Sequence, residues 1–191
     1  MREPVLEPLL RKIRIAKVFP LLRRIPQCRL LDIGCGWEAK FLLDVEPYIA
    51  CGVGIDFKAP LIQTEKLTTM CVRLDGTLPF ADNSFDVVTM LAVLEHLDRP
   101  KSMLREVCRV LRPNSFLAAT VPSNAAKPIL EFLSYRIGIV NQDEIRDHKQ
   151  YYNRNSIVAL LSTTGFTDIK HQYFQFGLNN YFLASVHKIL L

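Results

Sequence analysis

The stretch Leu30-Leu31-Asp32-Ile33-Gly34-Cys35-Gly36 decides the fold. An apolar strand runs into two glycines, and an apolar helical stretch at 39–45 follows them. Glycines at these positions allow a tight turn and let the backbone approach a ligand at the start of the helix. The stretch therefore predicts a strand–turn–helix unit that binds a ligand at the end of the first strand of an α/β sheet.

Downstream of this unit, strand-like apolar runs alternate with helix-period stretches, which is typical of a parallel sheet with crossover helices. Two final runs have no helix between them, so we expect them to pair as a hairpin in which one strand is antiparallel to its neighbours. The predicted strands cover 29–33, 50–56, 70–74, 86–91, 116–121, 167–176 and 181–188. The predicted helices cover 101–112, 127–137 and 156–164, the last capped by Asn155.

Charge divides the chain into two parts. Residues 1–29 hold eight Lys or Arg and only Glu3 and Glu7, whereas the remaining residues are close to neutral. We interpret 1–29 as a basic amphipathic arm or lid and 30–191 as the main domain, with an insertion at 123–154 over the ligand-binding edge. The arm's apolar stripe predicts a lid or a membrane-surface helix more than a nucleic-acid contact. That stripe comprises Val5, Leu6, Leu9, Leu10, Ile13 and Ala16.

Asp32 indicates which ligand the glycine turn binds. Gly34, Gly36 and Ala39 fit a dinucleotide-binding pattern, and Asp56 has the position of a ribose-binding acid. However, a carboxylate two residues before the turn would repel a pyrophosphate and would suit a cationic amino group. S-adenosylmethionine carries an ammonium and a sulfonium, no phosphate, and a ribose for Asp56. The electrostatics therefore favour S-adenosylmethionine over a nicotinamide cofactor.

Four ordered motifs carry a resemblance to a known family: LLDIGCG, GVGIDF, LDGTLPFADNSFDVVTMLAVLEHL and REVCRVLRPNSFLAATVPS. The sequence from about 30 to 188 resembles the class I S-adenosylmethionine-dependent methyltransferases of the type 11 kind. The resemblance implies a doubly wound, Rossmann-like α/β fold with a seven-stranded sheet, mostly parallel with an antiparallel last strand. It also implies that the cofactor contacts Asp32, Gly34, Gly36, Asp56, Phe57, Asp75, Gly76, Met90, Leu91 and Ala92.

One departure from the family pattern concerns the glycine turn. The family's commonest third glycine is replaced by Glu38, which follows the bulky Trp37. We interpret Trp37 as an aromatic that packs on the N-terminal arm rather than as a ligand contact. If the two residues instead signal decay of the site, the chain is a non-catalytic binding or scaffold protein, which is the alternative function from a different class.

Methyl transfer needs the donor and acceptor in line and water excluded, and a hydroxyl acceptor also needs a general base. The candidates are Glu95 and His96, which follow the fourth strand, and His148, which lies in the polar insertion. We expect a small-molecule acceptor, or one linked to a lipid or saccharide such as a glycolipid, with oxygen as the methylated atom.

The cysteines and the hydropathy limit the class of protein. Five cysteines lack metal-ligand spacing, so we expect reduced thiols and no zinc site. No apolar stretch approaches the roughly 20 residues of a membrane-spanning helix. We therefore expect a cytoplasmic enzyme, with peripheral membrane contact through the arm as an open alternative.

Overall fold

The computed structural model describes residues 7–126 and 150–187. In that part of the chain, seven strands and four α-helices follow one another, with short 3₁₀ turns at Glu46–Tyr48 and Leu94–His96. The strands are β1 (Arg29–Ile33), β2 (Cys51–Asp56), β3 (Leu67–Cys71), β4 (Phe85–Leu91), β5 (Leu111–Pro122), β6 (Thr167–Phe174) and β7 (Asn179–Val186). The helices are α1 (Glu7–Arg24), α2 (Lys40–Val45), α3 (Pro100–Val110) and α4 (Arg154–Ser162).

All seven strands form one sheet in the order β3-β2-β1-β4-β5-β7-β6. The first five strands are parallel to one another, whereas β7 runs antiparallel to both β5 and β6. The expected open α/β sheet with a reversed last strand is therefore confirmed. Because parallel strands share one carboxyl edge, the turns that follow β1, β2, β3 and β4 lie along the same side of the molecule.

Each face of the sheet is covered by its own apolar layer. One layer joins α3 and α4 to the sheet, and the buried side chains that these helices contribute include Met103, Val107 and Leu161. The other joins α1 and α2 to the opposite face, where Leu30 and Val87 point. The apolar face predicted for α3 is thus confirmed. The sheet lies between two helical layers, as the doubly wound class requires.

The helix α1 belongs to the second layer, although its buried face is not the predicted stripe. Its fully buried side chains are Ile15, Val18, Leu21 and Leu22, whereas Leu9 and Ala16 are exposed. The buried positions lie in the C-terminal half of α1, where the helix packs beside β1. In the N-terminal half, Leu10 and Ile13 are only half-buried.

Two sequence predictions need correction. The strand predicted at 70–74 lies at Leu67–Cys71, because buried Leu67 pairs with Gly52 and anchors the register. The helix α4 is capped by Asn153 rather than Asn155. Asn153 Oδ1 accepts from the Ser156 N–H at 2.9 Å, and Ser156 Oγ accepts from the Asn153 N–H at 3.0 Å. This reciprocal pair satisfies two otherwise unpaired backbone donors at once.

Crossover helices are also fewer than the predicted alternation suggests. Residues 57–66 and 72–84 connect β2 to β3 and β3 to β4 without an α-helix. Part of the first connection runs beside β3, where the Thr69 N–H donates to the Ile62 carbonyl at 2.9 Å. This contact covers an edge that would otherwise present unpaired backbone groups.

Within the described residues, none of the helices combines the length and the apolar character that crossing a membrane requires. The predicted helix at 127–137 lies outside the described residues.

We expect α1 to contribute to the stability of the domain rather than only to cover it. Leu22 is 1% exposed, so Leu22→Ala should lower the free energy of unfolding by about 2–5 kcal/mol through lost burial and a cavity. The matched control is Leu9→Ala on the same helix. Leu9 is 56% exposed, and its substitution should change stability by at most about 0.5 kcal/mol. Urea denaturation measures both, and equal effects would contradict the packing of α1.

Candidate active site

The glycine turn after β1 is hydrogen-bonded to the end of β2. The N–H groups of Gly34 and Cys35 donate to the Ile55 carbonyl at 2.7 and 3.2 Å, and the Gly36 N–H donates to Asp56 Oδ2 at 3.1 Å. Burial raises the pKa of the Cys35 thiol to about 12, so it remains a neutral packing group. These contacts bring Gly34, Gly36 and Asp56 together, as the sequence predicted for one ligand site.

Both glycines have the positive φ that favours glycine, and Gly34 is also required by space. Gly34 has φ +78°, and a Cβ there would lie 2.2 Å from Val93 Cγ2, so a side chain would clash with the segment after β4. Gly36 has φ +72°, and no heavy atom lies within 4 Å of the place its Cβ would occupy. The turn is therefore closed on the side of β4 and open at Gly36, which leaves room for a ligand against its backbone.

Asp32 lies in β1 and is buried, with 2% of its surface exposed. Its cross-strand neighbour Thr89 donates from Oγ1 to Asp32 Oδ1 at 2.7 Å. Burial raises the pKa of Asp32 to about 7; the Thr89 hydrogen bond opposes this shift, and the charge of Asp56 adds to it. A buried carboxylate of this kind is stabilised when a cation binds beside it. The site thus fits the ammonium group of S-adenosylmethionine.

Asp56 is the last residue of β2 and keeps acceptor capacity for a diol. Its Oδ2 accepts from the Gly36 N–H, and its Oδ1 accepts from the Lys58 N–H at 2.8 Å. Each carboxylate oxygen has a further lone pair, so both can still accept from a hydroxyl. Phe57 beside it is 59% exposed, and the Lys58 ammonium lies 4.8 Å from the centre of its ring. The ring is accessible for a planar base.

The remaining cofactor candidates lie at the same edge in different surroundings. Asp75 is exposed after β3 and its Oδ1 accepts from Thr77 Oγ1 at 3.2 Å, while Gly76 has φ +111°. Met90 is fully buried, so it contributes to the core rather than offering a side chain to solvent. Leu91 is half-buried, and so is Ala92, whose φ of 60° turns the backbone away from β4.

Glu95 is a catalytic candidate with an unsatisfied side chain. It is 1% exposed in the 3₁₀ turn after β4, and its Oε2 is the one buried side-chain N or O atom of the described residues that has no hydrogen-bond partner. Burial raises the pKa of Glu95 to about 8, although its own backbone and the charge of Arg14 lower it. His96 beside it is half-buried, and His148 lies outside the described residues.

The chain returns from the insertion directly against Glu95. The Gln150 N–H donates to the Glu95 carbonyl at 3.4 Å, and the Tyr152 hydroxyl donates to Gln150 Oε1 at 2.8 Å. Burial and the charge of Glu95 raise the pKa of Tyr152 to about 12, so its phenol is neutral. Fully buried Asn180 donates from Nδ2 to the Tyr152 carbonyl at 3.1 Å.

Sequence reasoning missed the supporting residues of this site. Thr89, Tyr152 and Asn180 have no motif of their own. The register of β1 and β4 brings Thr89 to Asp32, and the Asn180 side chain holds the segment that contains Tyr152. The environment of Trp37 was also not foreseen. Its side chain is 58% exposed, which is not the burial that packing on the arm implies, and Glu38 pairs with Lys40 at the surface.

Comparisons with known proteins bear on the family and the fold of this chain. The family model described as a methyltransferase domain matches residues 31–119. A protein of Encephalitozoon cuniculi whose name describes it as a methyltransferase is 31% identical over 157 residues, which are 74% of this chain and 71% of that protein. The demethylmenaquinone methyltransferase of Renibacterium salmoninarum is 35% identical over 100 residues, but these are 49% of this chain and 40% of that enzyme.

Among solved structures, the methyltransferase in complex with the Trm112 activator of Haloferax volcanii has a TM-score of 0.73 at 16% identity. The match covers 93% of this chain and 90% of that one, so it supports the fold. The relative from Encephalitozoon cuniculi supports the family, and the buried acid before an open glycine turn fits the family's cofactor. The chain therefore belongs to the class I S-adenosylmethionine-dependent methyltransferases, with S-adenosylmethionine as its cofactor.

Proposed function

We propose that this methyltransferase acts on a hydroxyl group of a small, lipid-linked acceptor and that Glu95 is the general base. The observation that carries the proposal is the buried Glu95 carboxyl group, which has one unpartnered oxygen and lies at the ligand edge of the sheet. A group of this kind is costly to keep in the core unless a ligand completes its hydrogen bonding.

The chemistry divides between the bound cofactor and the protein. When bound, S-adenosylmethionine would supply the methyl group from its sulfonium, with the neutral thioether as the leaving group. Three residues would hold the cofactor. Asp32 binds its ammonium group and Asp56 binds its ribose hydroxyls, while the open backbone at Gly36 leaves room for the part of the cofactor that joins these two groups. As the acceptor oxygen forms its bond to the methyl carbon, its proton passes to the Glu95 carboxylate.

The pKa of Glu95 suits this role. With a pKa of about 8, a substantial fraction of the side chain is ionised at slightly alkaline pH, and the ionised form is a stronger base than an ordinary carboxylate. Tyr152 remains neutral across this range, so it can donate or accept a hydrogen bond but does not compete for the proton. The charge of Arg14 in α1 lowers the pKa of Glu95, but burial outweighs it.

The lipid-linked class of acceptor rests on the relative that is named for demethylmenaquinone. That likeness covers less than half of either chain, so it suggests a class and not a compound. The surroundings of Glu95 support the same class. Tyr152, Leu94 and Leu97 are all buried nearby, so the acceptor would meet an apolar environment with few polar groups. A cytoplasmic location is part of the same proposal.

A matched pair of compounds tests the reaction. We expect a short-chain prenylated hydroquinone to gain one methyl group from S-adenosylmethionine, as read by mass spectrometry. The control is the dimethyl ether of the same compound, which lacks hydroxyl groups. Methylation of a ring carbon also requires a free phenolic hydroxyl, so the ether should not react in either case, and NMR of the product locates the added methyl group. A ring C-methyl product would contradict the oxygen assignment.

We predict that Glu95→Gln lowers turnover by about 10²-fold or more while the cofactor binds as before, since a general base contributes on the order of 10²–10⁴ in rate. The wild-type rate should rise with pH and level off above about 8, the pKa of Glu95. In the variant that rise should disappear. His148→Ala is the comparison: if it removes the pH dependence and Glu95→Gln does not, His148 is the base.

Asp32 predicts a pH-dependent cofactor affinity. Binding of the ammonium group requires ionised Asp32, so affinity measured by calorimetry should fall about tenfold per pH unit below the pKa of about 7 and level off above it. Asp32→Asn should lose this dependence and most of the affinity. An affinity that stays constant from about pH 5.5 to about pH 8 would contradict the assignment, because this range spans the pKa of Asp32.

The same residue makes an independent prediction about stability. The pKa of Asp32 is raised in the folded protein, so its contribution to stability is present below its ordinary pKa and is lost as the pH rises towards 7. Asp32→Asn should therefore raise the thermal unfolding midpoint at pH 8 relative to the wild type and change it little at pH 4. Thermal denaturation without cofactor measures this difference.

A further inference from the structure

One surface at the ligand edge combines exposed apolar and basic side chains. We call it the turn face and define it by Leu9 and Lys12 of α1 and Phe176 of the β6–β7 turn. Phe176 is fully exposed, Leu9 is 56% exposed, and Lys12 is exposed. Two hydrogen bonds hold the helix and the hairpin together: Gln175 Nε2 donates to the Leu10 carbonyl at 3.5 Å, and Lys17 Nζ donates to Gln172 Oε1 at 3.0 Å.

The backbone holds Phe176 outward in a conformation that is unfavourable for it. Gln175 and Phe176 have φ values of 51° and 57°, and Gly177 follows with 84°. Only the last of these residues is a glycine, which adopts positive φ without strain. Ser123 fixes the turn, since its Oγ donates to the Gly177 carbonyl at 2.7 Å and its N–H donates to the Leu178 carbonyl at 2.9 Å. A strained, fixed turn that presents a fully exposed aromatic ring indicates binding rather than packing.

The turn face borders the acceptor side of the site. Pro122 at the carboxyl end of β5 pairs with Asn179, which directly follows the turn. The neighbouring Asn180 is hydrogen-bonded to the Tyr152 carbonyl, and the chain from Gln150 to Tyr152 contacts Glu95. The turn face and Glu95 therefore lie at the same carboxyl edge of the sheet, connected through this hydrogen-bonded path.

Charge identifies the kind of partner. The first 29 residues carry eight Lys or Arg against two acids, whereas the rest of the chain is nearly neutral. A basic helix with exposed leucine, next to a fully exposed phenylalanine, has the composition of an element that lies in the interface of an anionic bilayer. An acidic protein would match the charge of this surface but would not need the isolated aromatic side chain at the tip.

We propose that the turn face docks on anionic lipid bilayers, with Phe176 inserted among the acyl chains and Lys12 at the headgroups. The role of this docking rests on the proposed function, because docking would let a lipid-linked acceptor reach Glu95 from the membrane. The docking itself needs neither cofactor nor acceptor. The two proposals can therefore fail separately.

Vesicle flotation of the full chain tests the docking. The probes are vesicles of phosphatidylcholine alone and of equal parts phosphatidylcholine and phosphatidylglycerol. We expect binding to the anionic vesicles only, weakened by salt because surface charges are screened. Phe176→Ser should weaken binding by roughly tenfold or more, through the loss of one buried aromatic side chain. Lys12→Glu should weaken vesicle binding more than Phe176→Ser does.

Leu61→Ser is the matched control. Leu61 is 96% exposed in the 57–66 connection, next to β3 at the opposite end of the sheet. It should bind the vesicles as the wild type does. If Phe176→Ser binds as tightly as Leu61→Ser, or if the wild type does not bind anionic vesicles, the docking proposal is wrong. If the wild type forms dimers that Phe176→Ser abolishes, the face is a protein–protein contact instead.

Two further measurements separate this proposal from the proposed function. Calorimetry should show that Phe176→Ser binds S-adenosylmethionine as the wild type does. When the prenylated hydroquinone is presented in vesicles, turnover by Phe176→Ser should be lower than turnover by the wild type. When it is presented in detergent, the two proteins should have equal turnover. Retained turnover without vesicle binding in the wild type would overturn the docking alone. Vesicle binding without any turnover would overturn the acceptor assignment and leave the docking intact.

Discussion

The hydrogen bonds between the glycine turn and the end of β2 are the constraint on which the site depends. Three consecutive N–H groups, from Gly34 to Gly36, are directed at the Ile55 carbonyl and the Asp56 carboxylate. They fix the end of β1 against Asp56, the last residue of β2, and they leave the backbone at Gly36 open. If the turn moved, Asp56 would lose the Gly36 hydrogen bond that orients it.

The site keeps two buried acids that make the empty protein less stable. Asp32 and Glu95 both lie in the interior at the carboxyl edge, and burial raises the pKa of each towards neutrality or above it. Thr89 supports one oxygen of Asp32, whereas Glu95 Oε2 has no partner among the described residues. Sites that bind cations or move protons commonly carry such groups, because the bound ligand provides the missing counter-charge or hydrogen-bond partner. The lower stability of the ligand-free protein is therefore a consequence of its binding site.

Local patterns predicted those features that depend on local sequence. The glycine turn, the buried face of α3 and the hairpin at the C-terminus follow from the order of residues along the chain. The register of β3, the Asn153 cap and the partner of Asp32 depend on which strands and turns meet in space. Leu67 illustrates this limit, since its pairing with Gly52 decides where β3 begins, and no nearby residue marks that choice. The burial of Glu95 likewise results from contacts with distant segments.

The position of α1 connects the stability of the domain with access to the site. Its C-terminal half is fixed in the core by Val18, Leu21 and Leu22, so this part of the helix cannot move away without exposing the sheet. Its N-terminal half reaches the ligand edge, where Leu10 meets the β6–β7 turn and the charge of Arg14 acts on Glu95. A lid made from this helix would therefore have to bend within its N-terminal turns rather than swing as a whole. Access to the acceptor side would then depend on the few residues between Leu9 and Arg14, and Leu10 in this segment is hydrogen-bonded to Gln175 of the turn that carries Phe176.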